Sequence, residues 1–367
     1  MDLYLDANAT EPLRPEARAA VLAALDLPGN PASVHSAGRE ARRALEAARE
    51  AVAAAFGAAP GDVVLTAGGT EANAIAVQGL AEGRRVLVGA TEHPAVLAAA
   101  PGAGMLPVRP DGTLDLDALE AALRAGPPAL VCLMAANNET GVLHPLAEAA
   151  AICRAQGALL HVDAVQAAGR VPVSRAGIGA DSLAISGHKL GGPKGAGALL
   201  LRPGLAPPAL IAGGGQEKGR RGGTEPLPAL AGMAAAAAAA RPEAAARLAV
   251  LRDAIEAACV ALGAEVAGQG APRLPNTTSL ILPGVPAETQ VIALDLAGIR
   301  VSAGAACSSG KVARSHVLAA MGLDERAGQA IRVSLPWNAP EDAAGRFIAA
   351  WGAMRARLSR GAAREAT

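Results

Sequence analysis

A chain of 367 residues with 51% hydrophobic and 18% charged content is long and apolar enough for two domains with sizeable cores, which excludes a disordered protein. Its 33 basic residues balance 33 acidic ones and only five residues are aromatic, so neither a positive field nor a stacking platform for nucleic acid is expected. The start Met-Asp-Leu-Tyr-Leu-Asp has no secretory pattern, and the most apolar run, Leu227 to Ala240, is shorter than the roughly 20 residues a bilayer needs, so a cytoplasmic protein without a membrane span is predicted.

In chain order, Tyr4-Leu-Asp-Ala-Asn-Ala-Thr-Glu-Pro opens with a short extended piece and turns at Pro12, and Pro15 to Leu27 has the spacing of an amphipathic helix. A polar loop with Asn30 and His35 precedes a second helix, about Arg39 to Phe56; the loop reads either as a turn with a helix cap or as part of a site. Asp62 to Val77 reads as strand, glycine turn and helix. Gly68 and Gly69 allow close backbone approach there, and Thr70 places a hydroxyl at the helix N-terminus, where a phosphate is favoured. The strand from Arg85 leads to His93, with Pro94 starting the next helix; a lone histidine is usually structural, but at this level it could stack on a ring or move protons.

The buried run from Ala129 ends in Asn137, Asn138 and Glu139, and the run from Ala158 ends in Asp163 and Gln166. An aspartate at such a strand end is a metal ligand, a cap, or the anionic partner of a pyridinium nitrogen. The next strand ends at Ser186 and delivers Gly187, His188 and Lys189 into a glycine-rich turn. A lysine beside a basic neighbour and backbone glycines loses its proton more easily, which frees its amine for a Schiff base; a solvated surface lysine is the plain alternative. The beat of strand and helix from Ala59 to Leu201 predicts a mostly parallel sheet with its loops on one edge. Phosphate donors, a lysine, an aspartate and amides together are what pyridoxal phosphate requires.

Further on, Asn276 to Leu282 reads as a strand and Glu288 to Leu296 as a helix, before Ala303-Gly-Ala-Ala-Cys-Ser-Ser-Gly-Lys. Small residues around Cys307, with Lys311 and Arg314 near in sequence, predict an exposed loop that favours thiolate, whereas Cys132, Cys153 and Cys259 sit in apolar contexts and read as inert core. No fixed metal site and no disulfide framework are expected.

The stretches YLDANATEP, NPASVHSAGREA, TAGGTEAN, TEHPAVL, NNETGVLHPL, HVDAVQAAG, SGHKLGGPKG, GGGQEKGRRGGTEP, SAGAACSSG and IRVSLP, in this order almost from end to end, resemble the cysteine desulfurases of the class V aminotransferase family. The resemblance implies fold-type I architecture: a large cofactor-binding domain of residues 13–242 around a mostly parallel seven-stranded sheet, and a small α+β domain of 1–12 with 243–367 that carries the Cys307 loop. It implies pyridoxal phosphate bound through Lys189, with Asp163 on the pyridine nitrogen, Gln166 and Asn138 near the ring oxygen and the substrate, and His93 stacked on the ring. Gly69, Thr70, Ser186 and His188, with Gly187 beside them, would hold the phosphate, and Thr224 would reach the phosphate of a neighbouring subunit in a homodimer with shared sites. Arg332 would grip the substrate carboxylate. The implied reaction turns L-cysteine into alanine and leaves the sulfur on Cys307 as a persulfide, for an iron-sulfur scaffold or another acceptor protein, with Cys307 as a transient cluster ligand at most.

Two stretches depart from the family pattern: Pro336-Trp337, where glycine more often follows the leucine, and the N-terminal DANATEP. Both put substrate preference and partner docking in question more than the chemistry. A selenocysteine lyase or another class V transaminase or lyase is the competing enzyme reading, with the Cys307 loop favouring sulfur transfer. A sulfur-carrier platform that acts mainly by binding partners is the competing non-enzyme reading.

Overall fold

The computed structural model describes residues 2–304 and 314–365. A short strand β1 (Leu3–Tyr4) precedes a large sheet built from β2 (Val63–Thr66), β3 (Arg85–Gly89), β4 (Gly104–Leu106), β5 (Ala129–Met134), β6 (Leu159–Asp163), β7 (Ser182–Ser186) and β8 (Gly197–Leu201). Its order is β2-β8-β7-β6-β5-β3-β4, and only β8 runs antiparallel to its neighbours. The sequence expectation of a mostly parallel seven-stranded sheet therefore holds. Every parallel strand ends on the same edge, which gathers the loops after Thr66, Gly89, Met134, Asp163 and Ser186.

The central strands are continuous apolar runs because helices cover both faces. Val131 and Leu133 of β5 point into one core with Leu45, Val52 and Leu230, while Leu130 and Cys132 point into another with Ile75, Ala76 and Val96. Helices α1 (Pro15–Leu25) and α2 (Ser36–Phe56) pack on the first face; α3 (Gly69–Leu80) and α4 (Pro94–Ala99) pack on the second. His35 caps α2, its Nδ1 accepting the Gly38 N–H at 3.2 Å, which resolves the polar loop around it into a turn and a cap. The alanine-rich helix Leu227–Ala239 is buried against α1 and α2, and no helix among the described residues is long and apolar enough to cross a membrane.

A second core forms around Leu5, Ile255, Leu280, Ile299, Ile331, Phe347 and Trp351. Its sheet, ordered β12-β13-β10-β9, joins β9 (Glu265–Val266), β10 (Thr277–Ile281), β12 (Ser302–Ala303) and β13 (Ala330–Ser334), while β11 (Ile299–Arg300) pairs with β1 in parallel. β13 carries Arg332 toward the edge where the large sheet ends.

The loop bearing GGGQEKGRRGGTEP is anchored from below. Glu217 sits at φ +49° and is fully buried, accepting from Arg49 Nη1 at 2.6 Å, from Arg49 Nη2 at 2.7 Å and from the Leu65 N–H at 2.8 Å. Removing one member of such a pair leaves the other charge buried and unmatched. Glu217→Ala is therefore expected to lower the unfolding free energy by about 3–5 kcal/mol, read by chemical denaturation; a loss under about 1 kcal/mol would show that Arg49 finds water instead.

Candidate active site

The strand ends meet in a cavity of about 840 Å³, within the usual range for small-molecule sites. Gly69, Thr70, His93, Asn138, Asp163, Gln166, Ser186, His188, Lys189 and Arg332 all line it. Gly187 does not: its N–H is spent on the Ala196 carbonyl at 2.9 Å and its own carbonyl accepts from Gly192 at 2.9 Å, so it shapes the turn instead of offering a donor. Thr224 is exposed and lies outside this cavity. Cys307 and Lys311 fall outside the described residues. Arg314 is exposed and donates to the Asp324 carbonyl at 2.5 Å, so the sequence expectation that it favours a thiolate gains no support from its position.

Lys189 closes a single 3-10 turn, Gly187–Lys189, directly after β7. Its Nζ donates to the carbonyls of Asn8 at 2.6 Å and Ala9 at 2.9 Å. A neutral amine has two N–H bonds to give, so these two acceptors satisfy it and leave its lone pair uncommitted. Burial first, then the charges of Arg332 and Arg170, push the amine down to about 8.

Asp163 ends β6. One carboxylate oxygen accepts the Val165 N–H at 2.9 Å and the other accepts Asn73 Nδ2 at 2.7 Å. Burial raises its pKa, against the pull of the Val165 N–H, His93, Asn73 and Lys189. Behind it, Asn73 Oδ1 meets His161 Nε2 at 2.9 Å and His161 Nδ1 meets Ser182 Oγ at 2.8 Å. Burial drives His161 down to about 3, so it is a neutral spacer that fixes the Asn73 amide. His93 caps α4, its Nδ1 accepting the Ala95 N–H at 3.1 Å, which leaves the proton of the neutral ring on Nε2. Burial, with Lys189 and His316 nearby, lowers its pKa and keeps that neutral form.

Arg332 donates to the Asn138 carbonyl at 3.0 Å and to Asp6 Oδ1 at 2.8 Å, while its buried Nε has no partner. Gln166 Nε2 donates to the Asn8 carbonyl at 3.0 Å and its Oε1 accepts from Arg170. His188 is held down to about 4, by burial and then by Lys189, Lys194 and Arg170, and its Nδ1 lies 3.1 Å from Thr10 Oγ1. Among the described residues no group of three or more histidines, cysteines or acids is placed to hold a metal ion.

Residues 3–346 match the family described as aminotransferase class-V. The chain belongs to that family. A cysteine desulfurase of Cereibacter sphaeroides is 43% identical over 350 residues, covering 91% of this chain and 90% of the relative. Among solved structures, a NifS-like protein from Rickettsia africae superposes with a TM-score of 0.89 at 33% identity, covering 96% of this chain and 99% of that one. SspA in complex with cysteine superposes with a TM-score of 0.80 at 28% identity, covering 91% and 99%.

Class V aminotransferases use pyridoxal phosphate, and the residues here fit it. A Cβ on Gly69 would stand 2.6 Å from Val165 Cγ2, and a Cβ on Gly197 would stand 2.5 Å from the Gly68 backbone, so the turn is bare and tightly backed where a phosphate must approach. The first turn of α3, the Ser186 hydroxyl and Lys194 share that end of the cavity. Also on the cavity wall, Asp163 is a buried carboxyl that forms no ion pair among the described residues, the acceptor a pyridinium N–H needs. Sequence reasoning missed Asn73, although its place four residues after Gly69 puts both on one face of α3. It also gave no role to Asn8 and Asp6 in the DANATEP motif, whose contacts to Lys189 and Arg332 carry no signal in local spacing.

Proposed function

We propose that this protein is a pyridoxal phosphate-dependent cysteine desulfurase that converts L-cysteine to alanine and takes the sulfur on Cys307. The observation that carries the reading is Lys189: an amine pushed down to about 8, capped by two carbonyls, in one cavity with Asp163 and Arg332. When bound, the cofactor serves as the electron sink that stabilises negative charge at the substrate's Cα and loosens its Cβ–S bond. Lys189 Nζ binds the cofactor and then holds and moves the Cα proton. Asp163, kept in place by Asn73 and Val165, holds the ring nitrogen's proton. His93, on the cavity wall, would lie against the cofactor ring and keeps its Nε2 proton available there. Arg332 receives the substrate carboxylate, with its unpartnered Nε available for a further hydrogen bond. The Cys307 thiolate attacks the substrate sulfur; the Cβ–S bond breaks with its electron pair staying on carbon, Cβ takes a proton, and alanine leaves while the persulfide remains on Cys307. Support for Cys307 comes from its sequence setting and from the relative of the same activity.

In this reading the protein works as a homodimer, with Thr224 serving the phosphate of the other subunit. The exposure of Thr224 and the anchoring of its loop through Arg221 to Glu71 at 2.9 Å, at the start of α3, are consistent with an outward role. The persulfide passes on to a protein acceptor such as an iron-sulfur scaffold.

Incubating the cofactor-loaded protein with L-cysteine and a thiol reductant should release alanine and sulfide in equal amounts. Loaded protein that makes neither would refute the assignment of cysteine as substrate, and alanine without sulfide would refute the sulfur step.

A further inference from the structure

Trp337 does not line the main cavity, yet it is tied to the segment that braces Lys189. It follows β13 and is half-buried. Its indole Nε1 donates to the Pro12 carbonyl at 2.8 Å, its backbone N–H donates to Glu11 Oε2 at 3.2 Å, and the Arg14 guanidinium stacks over its ring at 4.7 Å from the centroid. The run it grips, Glu11 to Arg14, is bonded in turn to the loop that carries Lys189. The Glu11 N–H donates to the His188 carbonyl at 2.9 Å, Arg14 Nε to the Leu190 carbonyl at 2.9 Å, and the Arg14 N–H to the Gly191 carbonyl at 2.8 Å. Just before that run come Asn8 and Ala9, whose carbonyls accept Lys189 Nζ.

We propose that Trp337 is a positioning residue for Lys189: it clamps the Glu11–Arg14 strap against the His188–Gly191 loop and seals the space behind the lysine. The inference rests on the reading of Lys189 as the cofactor-binding lysine. A small cavity of about 170 Å³ lies between Trp337, Arg14, Glu11, Arg170 and Lys189 itself. It is large enough for water, and removing the indole would open it further and hydrate the amine from behind. The charged and titratable groups around Lys189 are Asp6, Asp163, Arg170, His188, Arg332 and His93, with Glu11 and Arg14 lining the small cavity beside it. Trp337 contacts Glu11 and Arg14, so Trp337→Phe, which keeps a ring under Arg14 and the backbone N–H for Glu11, separates a displaced Arg14 from hydration of the amine.

The test uses the full chain, stripped of cofactor, as parent, Trp337→Phe and Trp337→Ala. Trace acetylation across a pH series, read on the Lys189 peptide by mass spectrometry, gives the titration midpoint of that amine without any need for turnover. A second sample, loaded with cofactor and reduced with borohydride, reports which lysine carries it. The midpoint should rise by on the order of one pH unit in Trp337→Ala, because hydration favours the charged amine, and by a smaller step in Trp337→Phe, which keeps a ring for Arg14 but loses the indole N–H. Unmoved midpoints in both folded variants would overturn the proposal, and if only Trp337→Phe folds, its unmoved midpoint does so alone. Cofactor fixed to a lysine other than Lys189 would overturn the reading of that residue and this inference with it.

Discussion

Lys189→Ala is expected to lower cysteine turnover by on the order of 10²–10⁴-fold or more, the range for losing a positioned proton carrier, and borohydride should no longer fix the cofactor to the chain. The reason lies in the protonation of Nζ. Only the neutral amine attacks an aldehyde, and with its pKa held at about 8 rather than 10.5 about a tenth of it is neutral at pH 7, roughly 300-fold more than for an ordinary lysine. Cofactor capture by the stripped parent should consequently rise about tenfold per pH unit below pH 8 and level off above it. Lys189→Arg should fail as badly as the alanine variant, since a guanidinium stays protonated. A Lys189→Ala protein that still yields borohydride-fixed cofactor and near-parent turnover would remove Lys189 from the site. Because Lys189 Nζ donates to two backbone carbonyls, those of Asn8 and Ala9, and to no side chain among the described residues, the fold should survive the change.

Cys307→Ser should release almost no sulfide or alanine, a loss on the order of 10³-fold or more for a deleted nucleophile, while still binding the cofactor and cysteine. The remaining thiols cannot substitute for it. Cys132, Cys153 and Cys259 are buried, and burial pushes Cys153 and Cys259 up to about 12 and Cys132 well above its ordinary value, so none supplies thiolate near neutrality. Replacing each of them with alanine should leave the persulfide yield unchanged. Mass spectrometry of protein treated with cysteine should place the added sulfur on Cys307 alone; undiminished sulfide from Cys307→Ser would exclude that residue from the reaction.

Much of this was legible along the chain because parallel α/β architecture converts local pattern into placement. An apolar run that ends in a polar residue, as at Asp163 or Ser186, must bring that residue to the shared edge, so the residues after β3, β5, β6 and β7 converge without any long-range information. Glycine beside Thr70 likewise announces a bare helix start. What could not be read has long-range causes. Asn8 reaches Lys189 across 181 positions, Asp6 reaches Arg332 across 326, and Glu217 reaches Arg49 across 168, and no periodicity encodes such pairings. Gly187 misled for the opposite reason: its neighbours Ser186 and His188 face the cavity, but in a tight turn the intervening N–H points back to Ala196. His93 and His161 are both histidines close to a strand's carboxyl end in sequence, yet His93 lies in the loop after β3 and caps a helix at the cavity, whereas His161 lies inside β6 and is sealed behind Asn73 and Asp163.

The amino-terminal strap has a consequence for how the protein is made. Leu3 and Tyr4 pair with Ile299 and Arg300, Ala7 bonds to Ser334, and Glu11 bonds to Trp337, 326 positions on, so these residues must wait for partners synthesised far later in the chain. At bacterial or eukaryotic elongation speeds that interval is on the order of tens of seconds. Through it the large sheet can form and offer Lys189, but the carbonyls that receive its amine are not yet fixed. The nascent chain thus holds Lys189 before it has a finished site, and cofactor encountering the chain in that window would meet a looser, wetter and more often protonated amine, because full burial and Arg332 are not yet there to lower its pKa.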